Sequence, residues 1–379
     1  MDRLHIVFLG PVNSGKSTLV NAIAGQEVSL VSPVPGTTTD PVRKAIELPG
    51  LGPCVLIDTA GLGDGSVLGA DRERRTRAIL DEADVAVVVL PAADRAFSPE
   101  KEGEKAQIVG ETAPSLPFFW REGTPVMEYL HRAGVSILTY TSGESVASLL
   151  ERLAAVVAQE EPRWLTGSLV KPGDCVLLVM PQDSEAPKGR IILPQVQVLR
   201  ELLDRGCNAL CSTPDSLLAA LQRVTPDLVI TDSQVFGIVN AAIPATIPLT
   251  SFSVLLAAAK GDIHTFVEGA GAIDSLRPGD RVLIAEACTH VPDTEDIGRV
   301  KIPALLRRRC DVNIDIAAGN DFPEDLSPYA LIIHCGACVA TASLVRSRIR
   351  KAHLAGVPIT NYGIAIAKLQ GILDRIAIP

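Results

Sequence analysis

The sequence predicts an α/β fold in three parts, a domain with a mainly parallel sheet followed by two smaller α/β units related to each other. Three observations support this prediction. Short apolar runs rich in β-branched residues alternate with segments rich in Ala and Leu along the chain. A glycine-rich motif lies between a predicted strand and a predicted helix near the N-terminus. The C-terminal part contains an internal repeat.

The first domain is predicted to span residues 1–160. Strands are predicted at 5–9, 54–57, 85–90 and 135–140, and helices at 17–24 and 145–157. A strand followed by a loop and a helix, repeated along the chain, implies strands that pair in parallel. The polar segment 160–163, which contains Pro162, is a predicted linker to the next unit.

The internal repeat divides the remaining chain into two units, 165–262 and 263–379. Segments 171–178, 225–230 and 247–252 resemble segments 277–284, 327–332 and 357–362 in the same order. Loops between strands and helices can also converge on a similar composition, which is the alternative explanation. Three matches in one order favour two related α/β units, and two copies are too few for a solenoid.

Composition and charge exclude several classes of protein. The formal net charge is −9, whereas proteins that bind nucleic-acid phosphates usually carry a basic surface, so we expect no nucleic-acid partner. The chain has no apolar run of the roughly 18–20 residues that span a bilayer. Residues 1–9 lack the layout of a signal peptide. We therefore expect a cytoplasmic protein without a membrane partner, whose eight cysteines stay reduced.

The segment from Gly10 to Ser17 fits the pattern G-x-x-x-x-G-K-[ST] between a predicted strand and a predicted helix. That context suits a phosphate-binding loop, because glycines let backbone N–H groups face the phosphates at the helix N-terminus. Lys16 would reach the β- and γ-phosphates, and the Ser17 hydroxyl would bind Mg²⁺. The first domain is therefore a predicted P-loop NTPase domain. Its predicted nucleotide contacts are Gly10, Asn13, Ser14, Gly15, Lys16, Ser17 and Thr18.

A second motif, Asp58-Thr59-Ala60-Gly61, follows the predicted strand 54–57. An acid at a strand end can hold magnesium through water, and the Gly61 N–H can contact the γ-phosphate. Taken alone, the motif could also form a surface turn. Between the two motifs, the threonine-rich loop 36–40 is suited to close over the metal. The order of the motifs favours nucleotide hydrolysis.

These motifs resemble the TrmE-Era group of GTPases. The resemblance implies GTP and Mg²⁺ as ligands, slow intrinsic hydrolysis, and Thr38 as the switch threonine on magnesium. It also implies a bound K⁺ at Asn13, although asparagine equally favours turns. The guanine-reading N-K-x-D motif is absent, and residues 118–123 stand where it belongs, so the guanine preference rests on the resemblance. The predicted catalytic residues are Lys16, Thr38, Asp58 and Gly61.

Cysteines and histidines form the pattern C-x-H…H-C-x-x-C, and each piece follows a predicted strand of the last unit. Strand ends of an open parallel sheet converge at one edge, so these residues can meet. Three thiolates suit an iron–sulfur cluster or zinc, while buried cysteines without a metal are the third alternative. The remaining cysteines are expected in the core or half-buried, although the pair 207 and 211 could also bind metal. The predicted ligands are Cys288, His290, His334, Cys335 and Cys338.

The whole chain resembles the [FeFe]-hydrogenase maturation GTPases, through this pattern and through segments 286–298 and 68–84. The resemblance implies a [4Fe–4S] cluster on three cysteines, with the fourth ligand open. Between the histidines we favour His290, because His334 adjoins Cys335 on an extended chain, where neighbours point to opposite faces. It further implies a scaffold that receives a di-iron precursor through two radical-SAM maturases and delivers it to the [FeFe]-hydrogenase apoprotein.

A homodimer is expected through the middle unit, as the resemblance implies. Residues 238–256 are unusually apolar, which predicts an exposed interface there; the alternative is that they pack on the last unit. Two other functions stay open. One is an RNA-modification or ribosome-assembly GTPase of the TrmE-Era group, and the other is a zinc-stabilised regulatory NTPase.

Overall fold

In the computed structural model, the chain divides into two compact units, Met1–Glu161 and Pro162–Pro379. The structure describes residues 3–11, 13–26, 41–59, 69–91, 129, 135–158, 164–182, 189, 191–287 and 296–379. Both units combine helices with parallel sheets, which confirms the predicted fold class. The predicted bounds of the middle and last domains stay a prediction, because one compact unit contains both.

The first unit is built around a five-stranded sheet in the order β2-β3-β1-β4-β5. All its neighbouring strands pair in parallel except β2, which runs antiparallel to β3. The described elements are β1 (Leu4–Leu9), α1 (Lys16–Ala24), β2 (Val42–Leu48), β3 (Gly52–Asp58), α2 (Gly69–Glu82), β4 (Val85–Leu90), β5 (Ser136–Thr141) and α3 (Val146–Ala158).

The sheet order decides where the loops of this unit meet. Strand β4 is buried along its whole length, as expected for a central parallel strand covered on both faces. In the pairing of β1 with β3, Phe8 lies opposite Asp58. The segment that follows β1 therefore begins beside the carboxyl end of β3. This neighbourhood brings the glycine-rich segment and Asp58 to one edge of the sheet.

Two four-stranded parallel sheets form the core of the second unit, in the orders β7-β6-β8-β9 and β11-β10-β12-β13. The shared strand order confirms that two related α/β units follow the first domain. The strands are β6 (Cys175–Val179), β7 (Asn208–Ser212), β8 (Leu228–Thr231), β9 (Leu249–Ser251), β10 (Arg281–Glu286), β11 (Asn313–Ala318), β12 (Leu331–His334) and β13 (Ile359–Asn361).

Helices of the second unit lie mostly between consecutive strands, as in other parallel α/β folds. They are α4 (Leu193–Asp204), α5 (Leu217–Leu221), α6 (Phe236–Ala242), α7 (Phe252–Lys260), α8 (Ile263–Ala270), α9 (Ile302–Arg309), α10 (Ala342–Leu354) and α11 (Tyr362–Leu369). Helix α7 follows the first sheet, and α11 follows the second. None of the helices in the described parts of the chain is both long and apolar enough to cross a lipid bilayer.

One apolar core extends across both sheets of the second unit, and a second, smaller core lies against the first of them. The larger core contains Val254 and Ala257 of α7 together with Ile364 and Ala365 of α11. The prediction that residues 238–256 form an exposed patch is therefore wrong. Most of their large apolar side chains are buried, and Ile238, which is 58% exposed, is an exception. The alternative prediction was that this segment packs on residues 263–379, and it describes α7 correctly.

The five cysteines expected in the core or half-buried follow that expectation with one exception. Cys54 and Cys207 are buried, and Cys175 and Cys310 are half-buried. Cys211 is exposed, because it lies on β7, an edge strand of its sheet.

Candidate functional sites

The glycine-rich segment lies between β1 and α1, and its backbone explains its glycines. A Cβ atom on Gly10 would come within 2.5 Å of the Val89 carbonyl oxygen, so no side chain fits there. Gly15, immediately before α1, has a φ of 93°, in the left-handed region that glycine adopts without strain. Asn13 also lies in this region, at a φ of 61°, which asparagine tolerates better than most residues. Turn chemistry alone thus accounts for Asn13, and its K⁺ role stays a prediction.

Lys16 curls back over the loop from the first turn of α1. Its Nζ donates to the carbonyl oxygens of Gly10, at 3.1 Å, and Pro11, at 2.8 Å. Burial lowers the pKa of Lys16 to about 8, while the charge of Asp58 acts in the opposite direction. The loop therefore holds a largely buried ammonium group, and a bound phosphate would supply the opposite charge.

A hydroxyl and a carboxylate meet beside this ammonium group. Ser17 Oγ donates to Asp58 Oδ2 at 2.6 Å, and Asp58 is fully buried. Thr59 Oγ1 donates to the Phe8 carbonyl oxygen at 2.7 Å, which ties the end of β3 to β1. Oxygen ligands of this kind suit Mg²⁺. The donor set fits a magnesium ion bound next to phosphate, with Ser17 as a direct ligand.

Ser14 Oγ is buried and has no hydrogen-bond partner among the described residues. Thr18 lies on the exposed side of α1. Of the predicted nucleotide and metal residues, the structure thus brings Lys16, Ser17 and Asp58 together. Thr38, Gly61 and the segment 118–123 lie outside the described residues.

The second candidate site begins where β12 ends. There Cys335 to Cys338 form a turn that leads into α10, which starts after Thr341. Cys335 Sγ accepts hydrogen bonds from the backbone N–H groups of Ala287, at 3.1 Å, and Ala337, at 3.4 Å. Backbone N–H groups aimed at sulfur are typical of iron–sulfur sites, where they tune the cluster. Ala287 immediately follows β10 and directly precedes Cys288 in the sequence.

Burial raises the pKa of the Cys335 thiol, and the two backbone N–H groups oppose this effect. A bound metal ion would displace the proton, because thiolate is the form that coordinates metals. Within the described residues, no three His, Cys, Asp or Glu side chains come together as a metal site. Cys288 and His290, two of the five predicted ligands, lie outside the described residues. Cys335 and Cys338, the two described cysteines of the pattern, carry the thiol groups that iron–sulfur clusters require as ligands.

His334 is buried beside this turn, and both its ring nitrogens have partners. Its Nδ1 lies 2.8 Å from the Cys335 carbonyl oxygen, and its Nε2 lies 3.2 Å from Nη1 of Arg348. A guanidinium group can only donate, so Nε2 accepts and Nδ1–H donates. Burial and the Arg348 charge lower the pKa of His334 to about 3. His334 is therefore neutral and connects the turn to Arg348 by hydrogen bonds. We refer to this pair of residues as the His334–Arg348 brace.

Arg348 connects that brace to two further loops. It is 2% exposed, and it donates to the carbonyl oxygens of Glu286, at 3.1 Å, and Gly319, at 2.6 Å. Neither Arg348 nor Lys260, which contacts the same turn from α7, was among the predicted site residues. Neither belongs to a local motif. Lys260 is the only charged residue of an otherwise apolar helix, a signal that could have found it, whereas Arg348 lies in a helix with several other basic residues and gives no such signal.

Comparison with protein families assigns the chain in three stretches. Residues 5–115 match the model described as 50S ribosome-binding GTPase. Residues 165–261 match the hydrogen maturase F dimerization domain, and residues 264–379 match the hydrogen maturase F tetramerization domain. The Lys16 loop lies in the first stretch, and the Cys335 turn lies in the last.

Individual relatives match the GTPase domain. The tRNA modification GTPase MnmE of Xanthomonas oryzae pv. oryzae is 50% identical over 94 residues, which are 24% of this chain and 21% of that protein. The MnmE of Methylobacterium sp. is 35% identical over 42% of this chain and 36% of its own length. Toc33 from Arabidopsis thaliana, solved with GDP and Mg²⁺, is 27% identical over 24% of this chain and 37% of its own, with a TM-score of 0.21.

Proposed function

The chain belongs to the hydrogen maturase F family, with a GTPase domain of the TrmE-Era type, and on that premise we propose that it is a GTP-hydrolysing scaffold for [FeFe]-hydrogenase maturation. It binds a [4Fe–4S] cluster in its second unit. It accepts the di-iron precursor from two radical-SAM maturases and delivers it to the hydrogenase apoprotein. GTP and Mg²⁺ bind in the first unit, and intrinsic turnover is slow.

The single observation that carries the cluster assignment is the environment of Cys335. Its sulfur accepts hydrogen bonds from two backbone N–H groups, one of which belongs to Ala287, the residue that precedes Cys288. Cys288, Cys335 and Cys338 would hold three irons, which leaves one iron for an exchangeable ligand. When bound, the cluster supplies a redox-active metal site to which a second metal unit can attach. The His334–Arg348 brace supports this proposal, because it orients the turn without using a cysteine.

GTP hydrolysis is assigned to the buried site of the first unit. Lys16 would neutralise charge on the β- and γ-phosphates, and Ser17 with Asp58 would hold Mg²⁺. Thr38 and Gly61 are proposed as switch residues on magnesium and the γ-phosphate, and Asn13 as a contact to K⁺. We propose a preference for guanine, carried by the family, although N-K-x-D is absent from the sequence.

A maturation assay tests this function. We expect purified hydrogenase apoprotein to evolve hydrogen only after incubation with this protein, which has first been loaded anaerobically in the presence of the two radical-SAM maturases and GTP. A mixture without this protein is the control. Hydrogen evolution at the same rate in both mixtures would contradict a carrier role, even if the protein hydrolysed GTP.

We further propose a dimer interface on helix α4. Leu193, Val196 and Leu203 are 43%, 46% and 57% exposed, and their spacing places them on one face of the helix. Arg200 shares this face and pairs with Asp204. An exposed apolar stripe of this kind is typical of a protein–protein interface. The stripe lies within the stretch that matches a dimerization domain.

The double variant Val196→Glu, Leu203→Glu should halve the mass of the native assembly. Two charges placed in an apolar interface are expected to raise its dissociation constant ~100-fold or more. Light scattering coupled to size-exclusion chromatography measures the mass. Leu218→Glu is the matched control, because Leu218 is 65% exposed and lies on α5, not on α4. An unchanged mass in the double variant would mean that α4 is not an interface.

A further inference from the structure

We infer that Lys260 is a positioning residue for the turn that carries Cys335 and Cys338, so that helix α7 controls the geometry and charge of the cluster site. The part that concerns the cluster rests on the function proposed above. The part that concerns the turn rests on contacts within the second unit alone.

Lys260 is the last residue of α7, and its side chain is directed into the protein. It is only 3% exposed. Its Nζ donates to the carbonyl oxygens of Ala337, at 2.9 Å, Ala340, at 2.8 Å, and Cys338, at 3.3 Å. An ammonium group has three N–H donors, so all three can be satisfied by one short stretch of backbone. Lys260, which lies far from the turn in the sequence, thus holds residues 337–340 in place by hydrogen bonds.

The turn needs such a contact because its backbone is strained. Ala337 has a φ of 51°, in the left-handed region, and it is buried. A non-glycine residue held there costs on the order of 1 kcal/mol or more, and it persists only where its surroundings enforce it. The hydrogen bond to the Ala337 carbonyl stabilises this conformation directly. It therefore fixes the chain between the two cysteines.

A second residue of α7 contacts the same region. Ser253, in the first turn of the helix, accepts from Asn361 Nδ2 through its carbonyl oxygen, at 3.1 Å, and its Oγ, at 3.0 Å. A Cβ atom on Gly336 would lie only 3.4 Å from Ser253 Oγ. Both ends of α7 therefore lie against the edge that carries the cysteine turn. Helix α7 itself belongs to the stretch that matches the dimerization domain.

The charge of Lys260 has its own consequence. A buried ammonium group 3.3 Å from the Cys338 carbonyl oxygen lowers the energy of added negative charge nearby. Nearby charge and hydrogen bonding are among the factors that set the reduction potential of an iron–sulfur cluster. Lys260 should therefore make the cluster easier to reduce as well as hold the turn in place.

The variant Lys260→Met, in the full-length chain, tests both effects. Methionine keeps an unbranched apolar side chain but has no N–H donor. In the protein without cluster, amide hydrogen exchange of residues 335–341 should become at least tenfold faster. After anaerobic reconstitution, the cluster should show altered EPR g values and a more negative midpoint potential. Lys368→Met is the matched control, because Lys368 pairs with Asp274 at the far end of α11.

Unchanged exchange at residues 335–341 in Lys260→Met would overturn the positioning role, whatever the cluster does. Faster exchange with an unchanged EPR spectrum and potential would overturn the effect on the cluster. If the wild-type protein takes up no iron, the proposed function and that effect fail together, while the exchange data still decide the role in the turn. Should Lys260→Met not fold, Lys260→Gln replaces it, since a shorter neutral side chain cannot reach all three carbonyls. The same tenfold faster exchange at residues 335–341 is expected in Lys260→Gln, and its absence would overturn the positioning role of Lys260.

Discussion

Replacing Lys16 with alanine should reduce GTP hydrolysis by about 100-fold or more, the usual cost of losing one charge-stabilising donor in a catalytic site. Lys16 Nζ lies over the phosphate loop, where it donates to the carbonyl oxygens of Gly10 and Pro11. Its burial means that water replaces the lost charge poorly. Because Lys16 and the cysteine turn lie in different compact units, iron uptake should be unaffected.

Release of inorganic phosphate under saturating GTP and Mg²⁺ measures this effect. Lys44→Ala provides the control, since Lys44 lies on β2 of the same unit, outside the phosphate loop. Wild-type turnover in Lys16→Ala would show that the loop does not bind the transferred phosphate. A parallel loss of iron would show that the two sites depend on each other.

The double variant Cys335→Ser, Cys338→Ser should lose nearly all cluster iron. Serine oxygen is a poor substitute for thiolate as an iron–sulfur ligand. The amide groups of Ala287 and Ala337 would also lose the sulfur to which they donate. Visible absorption of the anaerobically reconstituted protein measures the cluster. Hydrogenase activation should disappear with it, while GTP hydrolysis continues.

Cys211→Ser is the control for this variant, because Cys211 is an exposed cysteine on β7, outside the C-x-H…H-C-x-x-C pattern. It should keep the full absorption. If the double variant absorbed as strongly as the wild type, Cys335 and Cys338 would not be cluster ligands. The ligands would then have to be found among the other cysteines.

The phosphate site was predictable because its chemistry is local. The spacing from Gly10 to Ser17 demands a loop before a helix, and the structure has that loop between β1 and α1. Asp58 was also predictable, since it ends an apolar strand. Strand β2 was missed because its residues, Val-Arg-Lys-Ala-Ile-Glu-Leu, do not alternate strictly between polar and apolar, although their exposure alternates in the structure. The sequence pattern there resembles a polar loop as much as a strand.

Residues that act across the fold could not be predicted in the same way. Lys260 and Arg348 are distant in sequence from Cys335, and only the packing of α7 and α10 brings them to the turn. Exposure of residues 238–256 was favoured over packing on the last unit for a related reason. Apolar composition does not distinguish an interface between chains from a core shared by two sheets of one chain. The internal repeat was detectable, but composition could not decide between a core shared by its two copies and an interface between chains.

Elemental analysis of the wild-type protein, purified and reconstituted without oxygen, tests the central proposal most directly. A cluster scaffold should contain about four iron atoms and equivalent sulfide per chain, with little zinc, and its GTP hydrolysis should be measurable in the same sample. One zinc atom per chain without iron would contradict this account and would favour a zinc-stabilised regulatory NTPase.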